Sequence, residues 1–199
     1  YRLTLGALVA AVFAPSSALA WEHTHRAWSA EDWPVEYWIS PYEEDSLAPN
    51  FDYQIEAITE GFAEWHNAEC ADFSTAYMGL IDFYPELDPP NNPPDGLDYV
   101  NTVSWDDPGN RIGGGTLAVT YTKTAGEQLF VQDGSRYFRS TDSDIVFGDN
   151  IDWARDPDIE GGVCNGETSV RAVATHEIGH LLGLAHSCED GEVCVDDEL

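Results

Sequence analysis

Three features of this sequence predict an α+β fold. Ile55, Ile58, Phe62 and Trp65 recur at three- and four-residue steps, the period of one helix face, over about Asp52 to Glu69. Val170, Val173, Ala174, Ile178, Leu181 and Leu182 repeat that pattern near the other end of the chain. Between and before the two stripes stand short segments of β-branched and aromatic residues, parted by glycine and aspartate turns, which read as strands.

In chain order, Pro34 to Ile39 alternates and stops at Ser40-Pro41, giving a first strand, and the helix at Asp52 to Glu69 follows with an apolar face that needs a sheet to cover it. Residues 85–98 hold five of the eleven prolines together with Asn91, Asn92 and Gly96, so this stretch is a surface insertion and not an element. It is not a domain boundary either, because the chain before it is too short for a comfortable second core. Tyr99 to Trp105, Thr116 to Thr122, Gln128 to Gln132 and Ser143 to Phe147 supply further strands. Gly113-Gly114-Gly115 lacks the Lys-Ser/Thr of a phosphate loop and precedes a strand, so it reads as a turn.

The 199 residues carry 8 basic and 37 acidic side chains, a net charge of −29, with Lys123 the one lysine. Such a chain offers no basic face to displace the counterions of a polyphosphate, which excludes nucleic acid as a partner. At 43% hydrophobic and 12% aromatic residues it can bury a core, so the acidity belongs to a folded surface.

Arg2, the apolar run from Leu3 to Phe13 and the closing Ala18-Leu19-Ala20 have the form of a secretory signal peptide lacking its extreme N-terminus, with cleavage after Ala20. Residues 1–20 are then the signal, 21–32 a mature N-terminal tail and 33–199 one domain. No other run approaches the ~20 apolar residues of a membrane span. An exported, extracellular or periplasmic monomer is expected. In an oxidising compartment Cys70, Cys164, Cys188 and Cys194 are expected as disulfides. Three pairings exist, of which the local Cys188–Cys194 with Cys70–Cys164 is favoured; a four-cysteine zinc site lacks any Cys-x-x-Cys pair.

The chemistry is concentrated in the second helix. His176 and His180, four residues apart, stand one above the other on one helix face and can reach a single metal ion. Glu177 lies about 100° round the helix from His176, too far to ligate beside the pair but near enough to hold a metal-bound water. Gly183 suits a left-handed residue that ends the helix and reverses the chain, so that His186 can return as a third nitrogen ligand. Three nitrogens leave the fourth position of a zinc ion open, as in catalytic sites. His23, His25 and His66 read as exposed or hydrogen-bonded side chains.

His176, Glu177, His180, Gly183 and His186 match His-Glu-x-x-His-x-x-Gly-x-x-His, the metzincin metallopeptidase motif, without a gap. With Ser187 after the third histidine, the chain resembles the matrixins. Gly115 to Ala118 (Gly-x-Leu-Ala), the long first helix and Asp144 to Phe147 before the motif helix are similar too. The resemblance implies a zinc-dependent endopeptidase with a twisted, mixed, five-stranded sheet, two helices and a cleft along an edge strand. It implies one catalytic Zn²⁺ on His176, His180 and His186, and Glu177 as the general base for its water. Leu117, Ala118, Val119 and Thr120 are the candidate edge strand for an extended protein or peptide substrate.

The family's methionine turn lies downstream of the third histidine, whereas Met78, the one methionine, lies upstream. A catalytic domain truncated at both ends, with most of its C-terminal subdomain missing, is therefore expected. Residues 67–175 contain no histidine, so a second, structural zinc is not expected. Calcium is a further candidate cofactor, with Asp142, Asp144, Asp149 and Asp152 as oxygen ligands, although solvated acidic surface is the simpler reading of those residues. The acidic run 189–198 would favour cationic substrates if it lies by the cleft. The competing function is an inactive, metal-binding extracellular adhesion module on the same fold.

Overall fold

A computed structural model describes residues 22–40, 51–68, 73–81, 98–105, 112, 115–132, 134–148, 151–154 and 166–186. The expected signal peptide, residues 85–97 of the proline-rich insertion, Ser187, all four cysteines, Asp149 and the acidic run 189–198 lie outside the described residues.

Among the described residues two α-helices pack on one face of a mixed sheet. The strands are β1 (Glu22–His23), β2 (Arg26–Ala27), β3 (Val35–Ile39), β4 (Thr75–Leu80), β5 (Asn101–Ser104), β6 (Ala118–Gln132), β7 (Ser135–Phe147), β8 (Trp153–Ala154), β9 (Thr168–Ser169) and β10 (Leu184–Ala185). The helices are α1 (Phe51–His66) and α2 (Val170–Leu181). The main sheet runs β2-β7-β5-β3-β4, with β6 on the other side of β7. Its pairs are parallel except β6 with β7, a long antiparallel hairpin. The sheet is thus mixed, as expected, but has six strands among the described residues and not five. Two of them, β4 and β2, were not expected, and β2 belongs to the stretch read as a tail: Arg26 and Ala27 pair with Phe138 and Arg139.

The core follows from the apolar stripes. Ala57, Ile58 and Phe62 of α1, and Val170, Val173, Ala174, Ile178 and Leu181 of α2, are buried against Val35, Tyr37 and Ile39 of β3, Val103 of β5 and Ile145 and Phe147 of β7. Tyr37 stacks on Phe62 with ring centroids 3.7 Å apart, so strand and helix are joined by aromatic area as well as aliphatic. The indole N–H of Trp65 donates to the Thr175 carbonyl at 2.6 Å and ties α1 to α2. Helix α2 starts at Ser169, whose hydroxyl accepts from the Ala172 N–H at 3.0 Å and satisfies one of the free N-terminal donors.

The opposite sheet face holds a buried acidic group. Asp142 and Asp144 sit two apart on β7, on the side away from Ile145 and Phe147, at 2% and 3% exposure. They are not the solvated surface that the sequence suggests. Asp144 accepts from the Thr102 N–H at 3.0 Å and from its hydroxyl at 2.5 Å, whereas Asp142 Oδ1 and Asp98 Oδ2 are buried without a hydrogen-bond partner among the described residues. Burial, then the charge of Asp98, pushes Asp142 up to about 7; burial raises Asp98, and burial with Asp142 beside it raises Asp144.

Asp142 keeps its proton in the folded state to higher pH than in the unfolded chain, which releases it near pH 4. Stability is therefore lost as pH rises from about 4 through the folded pKa near 7. Asp142→Asn is expected to melt higher than the native chain at pH 8, by several degrees for a gain of about 2 kcal/mol, and to match it near pH 4. Thermal denaturation across that range is the measurement; a gap that widens toward low pH contradicts the assignment.

Candidate metal centre and cleft

Helix α2 places His176 and His180 on one face, and the chain reversal after Leu182 returns His186 to them. Leu182 is still right-handed helical, its N–H bonded to the Ile178 carbonyl at 2.9 Å. Gly183 takes φ +98°, the left-handed conformation expected of it, and its N–H bonds to the His180 carbonyl at 2.9 Å. The three Nε2 atoms then form a triangle with every side 3.1 Å.

That triangle has no consistent hydrogen-bond assignment of its own. Each Nε2 either carries a proton or presents a lone pair, so at least two of the three are alike and face each other unfavourably. A cation at the common point removes the conflict. Tetrahedral Zn²⁺ with bonds of about 2.0–2.1 Å separates its nitrogens by about 3.3 Å, close to the spacing found. The Leu184 carbonyl lies 2.7 Å from His180 Nδ1 and takes the proton there, which leaves Nε2 as the donor atom turned inward. Burial, and then His180, hold His176 below the usual imidazole range, so its ring stays neutral. Among the described residues this trio is the one group of three or more His, Cys, Asp or Glu side chains that could hold a metal ion. Asp98, Asp142 and Asp144 do not form such a group.

Glu177 lines the same cleft as the histidines and is 6% exposed. Thr120 of β6 reaches it: the Thr120 hydroxyl lies 2.6 Å from Glu177 Oε2 and 3.0 Å from the Glu177 carbonyl oxygen. Its single proton serves the nearer carboxylate oxygen. Oε1 then carries no hydrogen bond among the described residues. Strand β6 pairs only with β7 among them, so Ala118, Val119 and Thr120 do lie on a sheet edge. Leu117 precedes the strand, and its carbonyl is occupied by the Gly148 N–H at 2.8 Å. A cleft of about 690 Å³ runs between this edge and α2, lined by Thr120, Glu177 and all three histidines.

Residues 22–28 complete the site. Strand β1 pairs with β10, Glu22 opposite Ala185 and His23 opposite Leu184, one residue short of His186. The Gly183 carbonyl accepts from both the N–H and the hydroxyl of Thr24, at 2.8 and 3.0 Å. The indole of Trp28 donates to the Leu181 carbonyl at 2.9 Å. Arg139 clamps Asp32, bonding through Nε at 3.1 Å as well as through Nη2; although burial alone would raise it, hydrogen bonds from Arg139 and Ser29 hold that carboxyl below its ordinary value. Thr24 and Arg26 thereby line the cleft. The sequence places both in a tail, and no local signal marks them, because their place depends on pairing with segments more than a hundred residues away. His25 and His66 are exposed and stand apart from the cleft.

Residues 111–195, which carry the edge strand, β7 and the histidine helix, match the family model of the matrixins. No curated protein matches the chain significantly. Over that stretch the chain is similar to the matrixins. The family brings metallopeptidase chemistry, peptide substrates and zinc as its metal, and the three imidazoles could bind such an ion. No helix among the described residues is long and apolar enough to cross a membrane.

Proposed function

We propose that this protein is an exported zinc endopeptidase in which His176, His180 and His186 hold the metal and Glu177 is the general base. The observation that carries the reading is the 3.1 Å triangle of Nε2 atoms, set beside a carboxylate and an open sheet edge in one cleft. Zinc, when bound, supplies a Lewis acid for the scissile carbonyl and lowers the pKa of water toward neutrality.

The remaining work falls to the chain. Ala118 to Thr120 pair main chain to main chain with an extended peptide and set its register. Thr120 fixes one oxygen of Glu177, and the other takes a proton from the attacking water and passes it to the leaving amine. Cleavage after Ala20 would deliver the protein outside the cytoplasm and leave residues 22–28 free to pair as described.

Zinc removal tests the reading. Dialysis against a chelator is expected to abolish cleavage of a fluorogenic peptide mixture, and one equivalent of Zn²⁺ to restore it, with metal content following activity. Cleavage that survives at zero zinc would sink the proposal.

A further inference from the structure

We propose that Arg26 forms a carboxylate-binding subsite, so that the cleft selects peptides with a Glu or Asp side chain about two residues from the scissile bond. The inference rests on the peptidase reading above and adds to it a substrate class.

Arg26 is half-buried and lines the cleft beside Thr120, Glu177 and the histidines. Its guanidinium makes one hydrogen bond, from Nη1 to the Thr122 carbonyl, at the 3.5 Å limit of such contacts. Among the described residues the guanidinium ion pairs belong to Arg139 and Arg171, and no carboxylate meets Arg26. Arg26 is thus a cation without an ion pair among the described residues, and it lines the cleft. A guanidinium has five N–H donors in a planar fork that fits a carboxylate in bidentate fashion, and at most one of them is engaged here.

The side chain is also well anchored. The Arg26 main chain pairs with Phe138, and its carbonyl lies against Gly183. The fork therefore starts from a fixed base, which favours selective contact over a mobile surface charge. Distance along β6 then sets the position of the ligand. Thr120 touches Glu177, and Thr122, which Arg26 meets, is two residues further on, about 7 Å at the rise of a strand. A peptide paired with β6 keeps the same rise, so the side chain that meets Arg26 lies about two residues from the bond beside Glu177. The overall charge of −29 repels every acidic peptide alike, wherever its carboxylate stands. A preference at one position must come from a local cation.

The test separates this inference from the reading it rests on by measuring binding without turnover. A fluorescent octapeptide of alanine and leucine, amidated at its C-terminus, carries one Glu or one Gln at each position in turn. Its anisotropy is followed with zinc-loaded Glu177→Ala protein and with the Arg26→Gln double variant. At one position Glu is expected to bind roughly tenfold more tightly than Gln, and the preference is expected to vanish in the double variant and to pass to Lys in Arg26→Glu. A peptide with a free C-terminus distinguishes a side-chain carboxylate from a terminal one. Equal binding of Glu and Gln peptides at all positions, or a Glu preference that survives Arg26→Gln, overturns the subsite even where cleavage and its zinc dependence stand. Absence of cleavage in the native chain defeats the peptidase reading and leaves the binding result to decide on Arg26.

Discussion

Glu177→Ala is expected to keep its zinc and to lose roughly 10²-fold or more of its cleavage rate, the scale of removing a general base. The two halves of that result have separate origins. On the proposed reading zinc is held by three imidazoles whose nitrogens already stand 3.1 Å apart, and Glu177 contributes no atom to that triangle. The rate on that reading depends on a carboxylate held between the helix and the edge strand by the Thr120 hydroxyl at 2.6 Å. Thr120→Val, which keeps the shape and removes the donor, should therefore lower kcat by roughly three- to tenfold, the worth of about one hydrogen bond, with Thr120→Ser recovering most of it. Rates measured beside metal content decide the matter. Full activity in Glu177→Ala, or loss of zinc in that variant, would contradict the assignment of roles.

Gly183→Ala is expected to be the most damaging single-carbon change in the site. The residue has φ +98°, where a side chain costs about 1–3 kcal/mol on backbone grounds alone. An added Cβ would also fall onto the Arg26 carbonyl oxygen, so the strand beneath must move. Because β1 and β10 pair at that point, movement of residues 22–27 is transmitted to His186. Zinc affinity should fall about 10–100-fold, the usual cost of disturbing the groups that orient metal ligands. Gly166→Ala is the control, since it has φ +95° and nothing within 4 Å of the added carbon. It shares the backbone strain and lacks the collision. Equal zinc affinities for the two variants, measured by chelator competition, would remove Arg26 and the N-terminal strand from any part in holding the site.

What could be read locally was read in the sequence. Helix α1, the core stripe of α2, the third strand and the left-handed Gly183 are each specified by residues within one or two turns of themselves. Strand β4 escaped notice because Thr75 to Leu80 includes Ala76, Met78 and Gly79, a mixture with little β-propensity that serves at a sheet edge. Strand β6 looked like two strands, since its pairing register slips between Lys123 and Thr124 and again before Leu129, with Gly126 in between. The same irregularity hid the length of β7. The placement of the three histidines and Glu177 is legible from spacing, since one helix and one turn determine where they stand. Thr120 was found as an edge-strand residue, but its hydroxyl contact with Glu177, and the cleft positions of Thr24 and Arg26, arise between segments distant in sequence. A pattern with a short period carries no information about them.

The bond from Thr24 to Gly183 joins residues 159 positions apart. A chain emerging from synthesis displays its first partner long before the second exists, and closing so long a loop is among the slower events of folding. The turn that presents His186 is therefore braced only after nearly all the described chain has assembled. On the proposed reading, the peptide-cutting site is complete only once the two ends of the described chain have met.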